Sequence, residues 1–430
     1  MKALRTTLIV LFCLAGLWCG LLSVRPAWLE PVPGVRLEQS RPILREADLK
    51  PDSAFALLRQ ACDAAPDSRA TSDLLDLVVT NAWSPAIQSN VTAFLDEAQP
   101  CLELARRAGR APDPQVTTVL SVGGTSRRPI GGMRDIARLF RISVAAKAGA
   151  GDLAGACRDI EDGIRSADIL SRGGTLIDCL VDVACGNMMC AAACRLSMNH
   201  ALPDDTARRL QAAVLDLDAH SEPWAECVRQ ERRFNLAALD EMYASRSACM
   251  DVFGSRAAGA LILLGPLVGS TREISRANID ACFTHLVALA ERPYDGPAYV
   301  RFSAQIGDGT SLWPVLSHKD PVGLLLARFL LPAFGSARTH YERKHIGLRA
   351  AALAMALNRY RAANGRWPAD LNELVPAFIA AVPGDPFARG PLRYRADNAG
   401  GWVIYSVGPD GADDGGTRED DRDVVFPGGK

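Results

Sequence analysis

Residues 133–171 read MRDIARLFRISVAAKAGAGDLAGACRDIEDGIRSADILS, and the fold class follows from them. An apolar stripe with a 3.6-residue period runs through Met133–Ala148, breaks at Gly149-Ala150-Gly151-Asp152 and resumes through Leu153–Ser171. That is the pattern of two amphipathic helices joined by a tight turn. The same period recurs outward in both directions, over Asp52–Ala64, Ala86–Ala98, Thr175–Met198, Pro203–Leu217, Glu222–Arg246 and Thr271–Ala290. Gly173-Gly174-Thr175 opens one of these helices, and Leu202-Pro203-Asp204-Asp205 opens another with proline and acids in its first turn. The expectation is a mainly α protein.

Composition supports this reading. Hydrophobic residues at 48% supply a core, while aromatics at 6% favour helices over a sandwich or barrel of aromatic and β-branched strands. Lys+Arg 48 against Asp+Glu 49 leaves net −1, without the basic footprint that nucleic-acid binding requires. A chain of 430 residues exceeds one core. The expected organisation is a cytoplasmic stub at 1–5, a transmembrane anchor at 6–24, a linker at 25–44, a helical domain at 45–335 and a small α+β module at 336–430. The Met133–Ser171 pair is similar to one tetratricopeptide-like hairpin, with no second copy at a period near 34 residues.

Lys2 and Arg5 precede Thr6–Val24, nineteen uncharged residues that reach about 28 Å as a helix, enough for a thin bilayer core. No A-x-A-like cleavage site follows, and the residues before Cys13 and Cys19 do not suit a lipoprotein signal. The expectation is a single uncleaved span in the inner (cytoplasmic) membrane, N-terminus inside, with the bulk of the chain periplasmic or otherwise extracytoplasmic. Ala257–Val268 and Pro321–Gly335 are apolar but interrupted or flanked by Arg256, Arg272, Arg328 and Pro332, so buried or interface-lying helices are expected there.

Ten cysteines lie beyond the anchor. Neither C-x-x-C nor H-E-x-x-H occurs, which leaves small core filler as the main reading and one or two disulfides, Cys62–Cys101 first, as the other. Cys179, Cys190 and Cys194 share one helix face, and Cys185 points elsewhere. The charged start of one helix, with His220, Glu222, Glu226 and Glu231 beside Arg229, Arg232 and Arg233, is expected to be a solvated face rather than a catalytic one. No G-x-S-x-G elbow or phosphate-binding glycine loop is present.

The last ninety residues differ. A helix over Arg338–Ala363 carries Ile346, Ala350, Leu353, Leu357 and Tyr360 as a stripe and stops at Asn364-Gly365. A short helix follows from Trp367, then strands at Leu392–Arg395, Trp402–Val407 and Asp423–Phe426. Tyr360, Asn364-Gly365-Arg366-Trp367-Pro368, Leu371, Leu374, Asp385-Pro386-Phe387, Tyr394 and Tyr405-Ser406-Val407-Gly408-Pro409-Asp410-Gly411, with Asp420 to Phe426, form a series that resembles the globular end of the type II secretion major pseudopilin. The resemblance covers about 340–426 and implies a small α+β module with a three-stranded antiparallel sheet. The chain departs from that family in having no prepilin-peptidase site and a helical body between anchor and module, which argues against assembly into a fibre. As a whole it looks like envelope proteins that join an anchor and a helical body to such a tail.

Asp410, Asp413, Asp414, Glu419, Asp420, Asp421 and Asp423 stand against only Arg418 and Arg422. Hard oxygen ligands at this density suit Ca²⁺. Asp410, Asp414, Gly415 and Asp421 fall at positions 1, 5, 6 and 12 of an EF-hand loop, but Ala412 stands at position 3 and strands flank the segment. The resemblance implies Ca²⁺ held here by carboxylates and main-chain oxygens, with Asp410, Asp413, Asp414, Asp420, Asp421 and Asp423 as candidate ligands. The other reading is a solvated loop whose Gly and Asp serve turn formation. The expected function is non-enzymatic: a helical scaffold that binds a protein partner in the cell envelope, possessing a calcium-stiffened pseudopilin-like module and a place in secretion. The alternative is an envelope hydrolase with its site in the helical domain.

Overall fold

The computed structural model describes residues 30–38, 50–80, 85–112, 130–244, 271–306, 320–396, 401–417 and 422–427. Two expectations, the Thr6–Val24 span and the Ala257–Val268 helix, lie outside them. The described helices are α1 (Ala54–Asp63), α2 (Ser68–Thr80), α3 (Pro85–Arg110), α4 (Ile130–Gly149), α5 (Leu153–Ser171), α6 (Leu176–Asn199), α7 (Asp204–His220), α8 (Trp224–Ala244), α9 (Arg272–Ala290), α10 (Gly296–Ile306) and α11 (Pro321–Asn364). A three-stranded antiparallel sheet follows, in the order β1 (Arg393–Ala396), β2 (Trp402–Ser406), β3 (Val424–Phe426). The protein is mainly helical, with a small antiparallel sheet near its C-terminus.

The quoted hairpin forms as its pattern dictates. Gly151 takes a positive φ of 82° in the turn, and the Asp152 side chain caps α5 by accepting from Gly155 N at 2.8 Å. Along the stripe, Met133, Ile136, Phe140, Ile160 and Ile164 are fully buried. Charges are buried too: Asp159 on α5 accepts from Ser143 Oγ at 2.5 Å and Lys147 Nζ at 2.6 Å on α4, and from Arg106 on α3 at 3.1 Å.

Three elements differ from expectation. α3 continues through Pro100 to Arg110 instead of ending at Ala98, because the ring sits on the exposed face while Cys101, Leu102, Ala105 and Ala108 beyond it are buried. α11 begins seventeen residues before Arg338, so Pro321–Gly335 is the first part of the same helix. Its middle is also no one-sided stripe. Ala350 through Leu357 are all fully buried, since five small alanines in that run let neighbours approach from every side. The helix expected from Trp367 is only a 3₁₀ turn, Leu371–Leu374, capped by Asp370 accepting from Asn372 N at 2.6 Å.

Among the described residues α6 is long and apolar enough to cross a membrane, but two-thirds of that stretch is buried inside the protein. Cys179, Cys185, Cys190 and Cys194 on α6 are all buried, in line with the main reading of cysteine as core filler, and Cys62 and Cys101 form no disulfide, against the alternative one.

The chain divides into two units, 1–40 with 120–125 and 228–336, and 41–119 with 126–227 and 337–430. The C-terminal module therefore shares a unit with α1–α7 instead of forming a domain apart, and Trp402, Ile404 and Phe426 belong to the same core as Phe140 and Ile160. In the other unit, Asp320 is fully buried and accepts from Ser275 at 2.6 Å and Asn278 at 2.8 Å, holding the start of α11 to α9.

Candidate functional site

The acidic loop between β2 and β3 is built by the turns around it. β2 is buried along its whole length and pairs Tyr394 with Ile404 on one side and Ile404 with Phe426 on the other. Where it leaves the sheet, the buried Asp385 receives Ser406 Oγ at 2.7 Å, Val407 N at 3.1 Å and Phe387 N at 2.9 Å. One carboxylate so ties the Asp385-Pro386-Phe387 turn to the Ser406-Val407-Gly408 turn. Gly408, at φ 70°, lies so close to the β3 entry that a Cβ there would stand 1.7 Å from the Arg422 carbonyl oxygen, which makes glycine obligatory.

Within the loop the candidate ligands fare differently. Asp410 is exposed and accepts from Ala412 N at 3.1 Å, and Asp413 accepts from Gly415 N at 3.0 Å while pairing with Arg393 at 3.1 Å. These are turn contacts. Asp423 is buried, and its Oδ2 accepts from Gly416 N at 2.7 Å, but its Oδ1 is buried without a hydrogen-bond partner. Asp414 Oδ2 is orphaned in the same way, its Oδ1 lying 3.9 Å from Arg422. Asp420 and Asp421 lie outside the described residues. Burial, and then the charge and hydrogen bond of Asp413, push the Tyr405 phenol up, as a ring packed against Gly416 and a crowd of carboxylates should be. Among the described residues no three His, Cys, Asp or Glu side chains gather as a metal-binding group. Each of the two orphaned oxygens is, in chemistry, a hard oxygen of the kind that Ca²⁺ takes as a ligand.

A second cluster of charges lies in the core. Lys344 on α11 donates to Asp168 on α5 at 2.9 Å and to Asp182 on α6 at 2.6 Å, and all three are buried. Burial alone would lower the lysine, but the two carboxylates overcome it and raise it. Burial would raise both acids. For Asp168, Lys344 and Arg172 overcome it and hold the group below the usual carboxylate range, whereas Asp182, with Lys344 as its cation and Asp168 repelling it, stays above that range. A second cation, Arg172 at 2.7 Å, makes the difference. Such a cluster fixes the register of three helices and is out of reach of a substrate.

The charged start of α8 is not the solvated face expected. Glu222, Arg229, Glu231 and Arg232 are buried. Arg229 pairs with Glu291 and also donates to the Arg36 carbonyl at 2.8 Å, and Arg232 pairs with Asp280 at 2.8 Å. Single-helix reasoning overlooked these partners because they come from α9 and from the segment before α1. Asp385 was legible only as a turn former, and Lys344 carried no signal beyond its place on an apolar helix. Comparison with protein-family models, with curated proteins and with solved structures finds no match.

Proposed function

We propose that the chain is a non-enzymatic, membrane-anchored envelope protein. Its helical body binds a protein partner, and Ca²⁺ stiffens the loop of its C-terminal module. The observation that carries the calcium reading is the pair of buried, unpartnered carboxylate oxygens, Asp414 Oδ2 and Asp423 Oδ1, in a loop whose other described acids are engaged in turns. An unsatisfied buried acceptor costs about 1–3 kcal/mol, and a cation would remove that cost at both places. Asp414 and Asp423 would hold it, with Asp420, Asp421 and main-chain oxygens as further ligands; Asp410 and Asp413 already serve turn formation.

The test is thermal unfolding of the full chain with calcium and with chelator. Bound metal favours the folded state by RT ln(1 + [L]/Kd), so calcium raises the midpoint, and Asp423→Asn and Asp414→Asn lose that increment while unfolding like the parent in chelator. Equal midpoints for the parent in both conditions would leave the loop as turn chemistry alone. The anchor is tested separately. A reporter active only outside the cytoplasm should work when fused after Lys430, and the chain should stay with the membranes through alkaline washing; release into the soluble fraction would refute the span at 6–24.

A further inference from the structure

Between α2, α4 and α6 lies a cleft of about 410 Å³, within the size range of small-molecule sites. Its walls are Val144, Ala148, Ala192 and Leu196, and two guanidinium side chains, Arg141 and Arg195, line the same space. Burial, and then the repulsion of Arg195, pull Arg141 down to about 10, with Asp76 on α2 acting in the opposite sense. Two cations sharing an apolar recess are an unfavourable arrangement. What points to an anion is the placement itself, two arginines lining one recess with aliphatic walls. Around it, the alanines on facing helices leave room that longer side chains would fill, and what they expose is aliphatic.

We propose that this cleft binds a single-chain anionic amphiphile, its carboxylate held by Arg141 and Arg195 and its aliphatic tail against Val144, Ala148, Ala192 and Leu196. Arginine suits the head because its fork matches a carboxylate with two hydrogen bonds. The tail is short, since the recess is open to solvent on one side and its apolar wall spans only two turns of each helix. This site is independent of the calcium loop and of any protein partner.

The experiment uses the full chain in zwitterionic nanodiscs and a decanoate analogue with a diazirine near its methyl end. Photolysis should give saturable crosslinks mapping to peptides that contain Ala148 or Leu196. Unlabelled decanoate should compete, and decanol, which has the same tail without the charge, should compete at least tenfold less well. The double variant Arg141→Met with Arg195→Met should lose at least tenfold in affinity. If that variant does not fold, the decanoate against decanol comparison on the unmodified chain decides. Unsaturable or scattered labelling, equal competition by decanol, or displacement by a Glu-rich peptide but not by decanoate would each overturn the proposal, the last by reassigning the cleft to peptide.

Discussion

Asp168 and Asp182 share one lysine, yet the structure gives them opposite titration. Asp168→Asn removes the partner of two cations and should cost about 3–5 kcal/mol at pH 7, the usual penalty for breaking a buried ion pair. Asp182→Asn keeps a hydrogen-bond acceptor for Lys344 and relieves the repulsion of Asp168, so its loss should be less than half as large. Thermal or urea unfolding of both variants checks the order, and the reverse order would refute the assignment. The pH limbs follow by sign. Asp168, depressed, contributes stability that is present above about pH 4 and lost as pH falls through its folded value. Asp182, raised, acts in the opposite direction, because folding favours its protonated form. Lys344, raised, contributes below about pH 10.4 and is lost as pH rises beyond it. The acid limb should therefore flatten in Asp168→Asn.

Helix α8 shows how far an element can be read by itself. Of the large apolar residues along its stripe, Trp224 and Leu239 are buried at 2% and 0% exposure, while Phe234 is only half-buried. Leu239→Ala should thus cost about 2–5 kcal/mol through lost transfer energy and the cavity left behind. A loss below about 0.5 kcal/mol in urea unfolding would place the residue at the surface. Periodicity also found α4, α5 and α6 almost to the residue, because each carries its own stop signal. It missed α2, where SRATSDLLDLVVT lacks a basic last turn and follows a proline, and α10, whose eleven residues begin with Gly-Pro. It cut α3 short at a proline that tertiary burial overrides. The acidic loop was legible as a cluster of charges. Which of its oxygens stay unpaired was not, since that depends on where Gly408 and Gly416 bring two distant segments together, and neither the Arg141–Arg195 cleft nor the Asp385 knot leaves a local mark.

At the scale of the molecule, α11 is the element through which the module joins the body. Asn358 donates to the carbonyls of Ser197 and His200 and accepts from Leu202 N, and Arg359 reaches Asp204, Gln211 and the Phe378 carbonyl. An isolated segment beginning near residue 336 would expose this buried middle, so calcium and stability measurements belong on the full chain. The nine described cysteines form no disulfide, and eight of them are buried. Burial raises Cys62, Cys101, Cys157, Cys185 and Cys190 to about 12. Thiolate is the reactive form, so in the native protein these sulfurs are protonated, and all but the half-buried Cys62 are also enclosed. Iodoacetamide should modify the described thiols of the folded chain at the slow rate of local opening, and in urea all at once. Fast labelling of Cys190 or Cys194 under native conditions would contradict the packing of α6. In an oxidising compartment the same arrangement turns folding into a race: each molecule that closes before an oxidase finds it keeps its sulfurs reduced thereafter, and the redox state of the mature chain becomes a fossil of how quickly it folded.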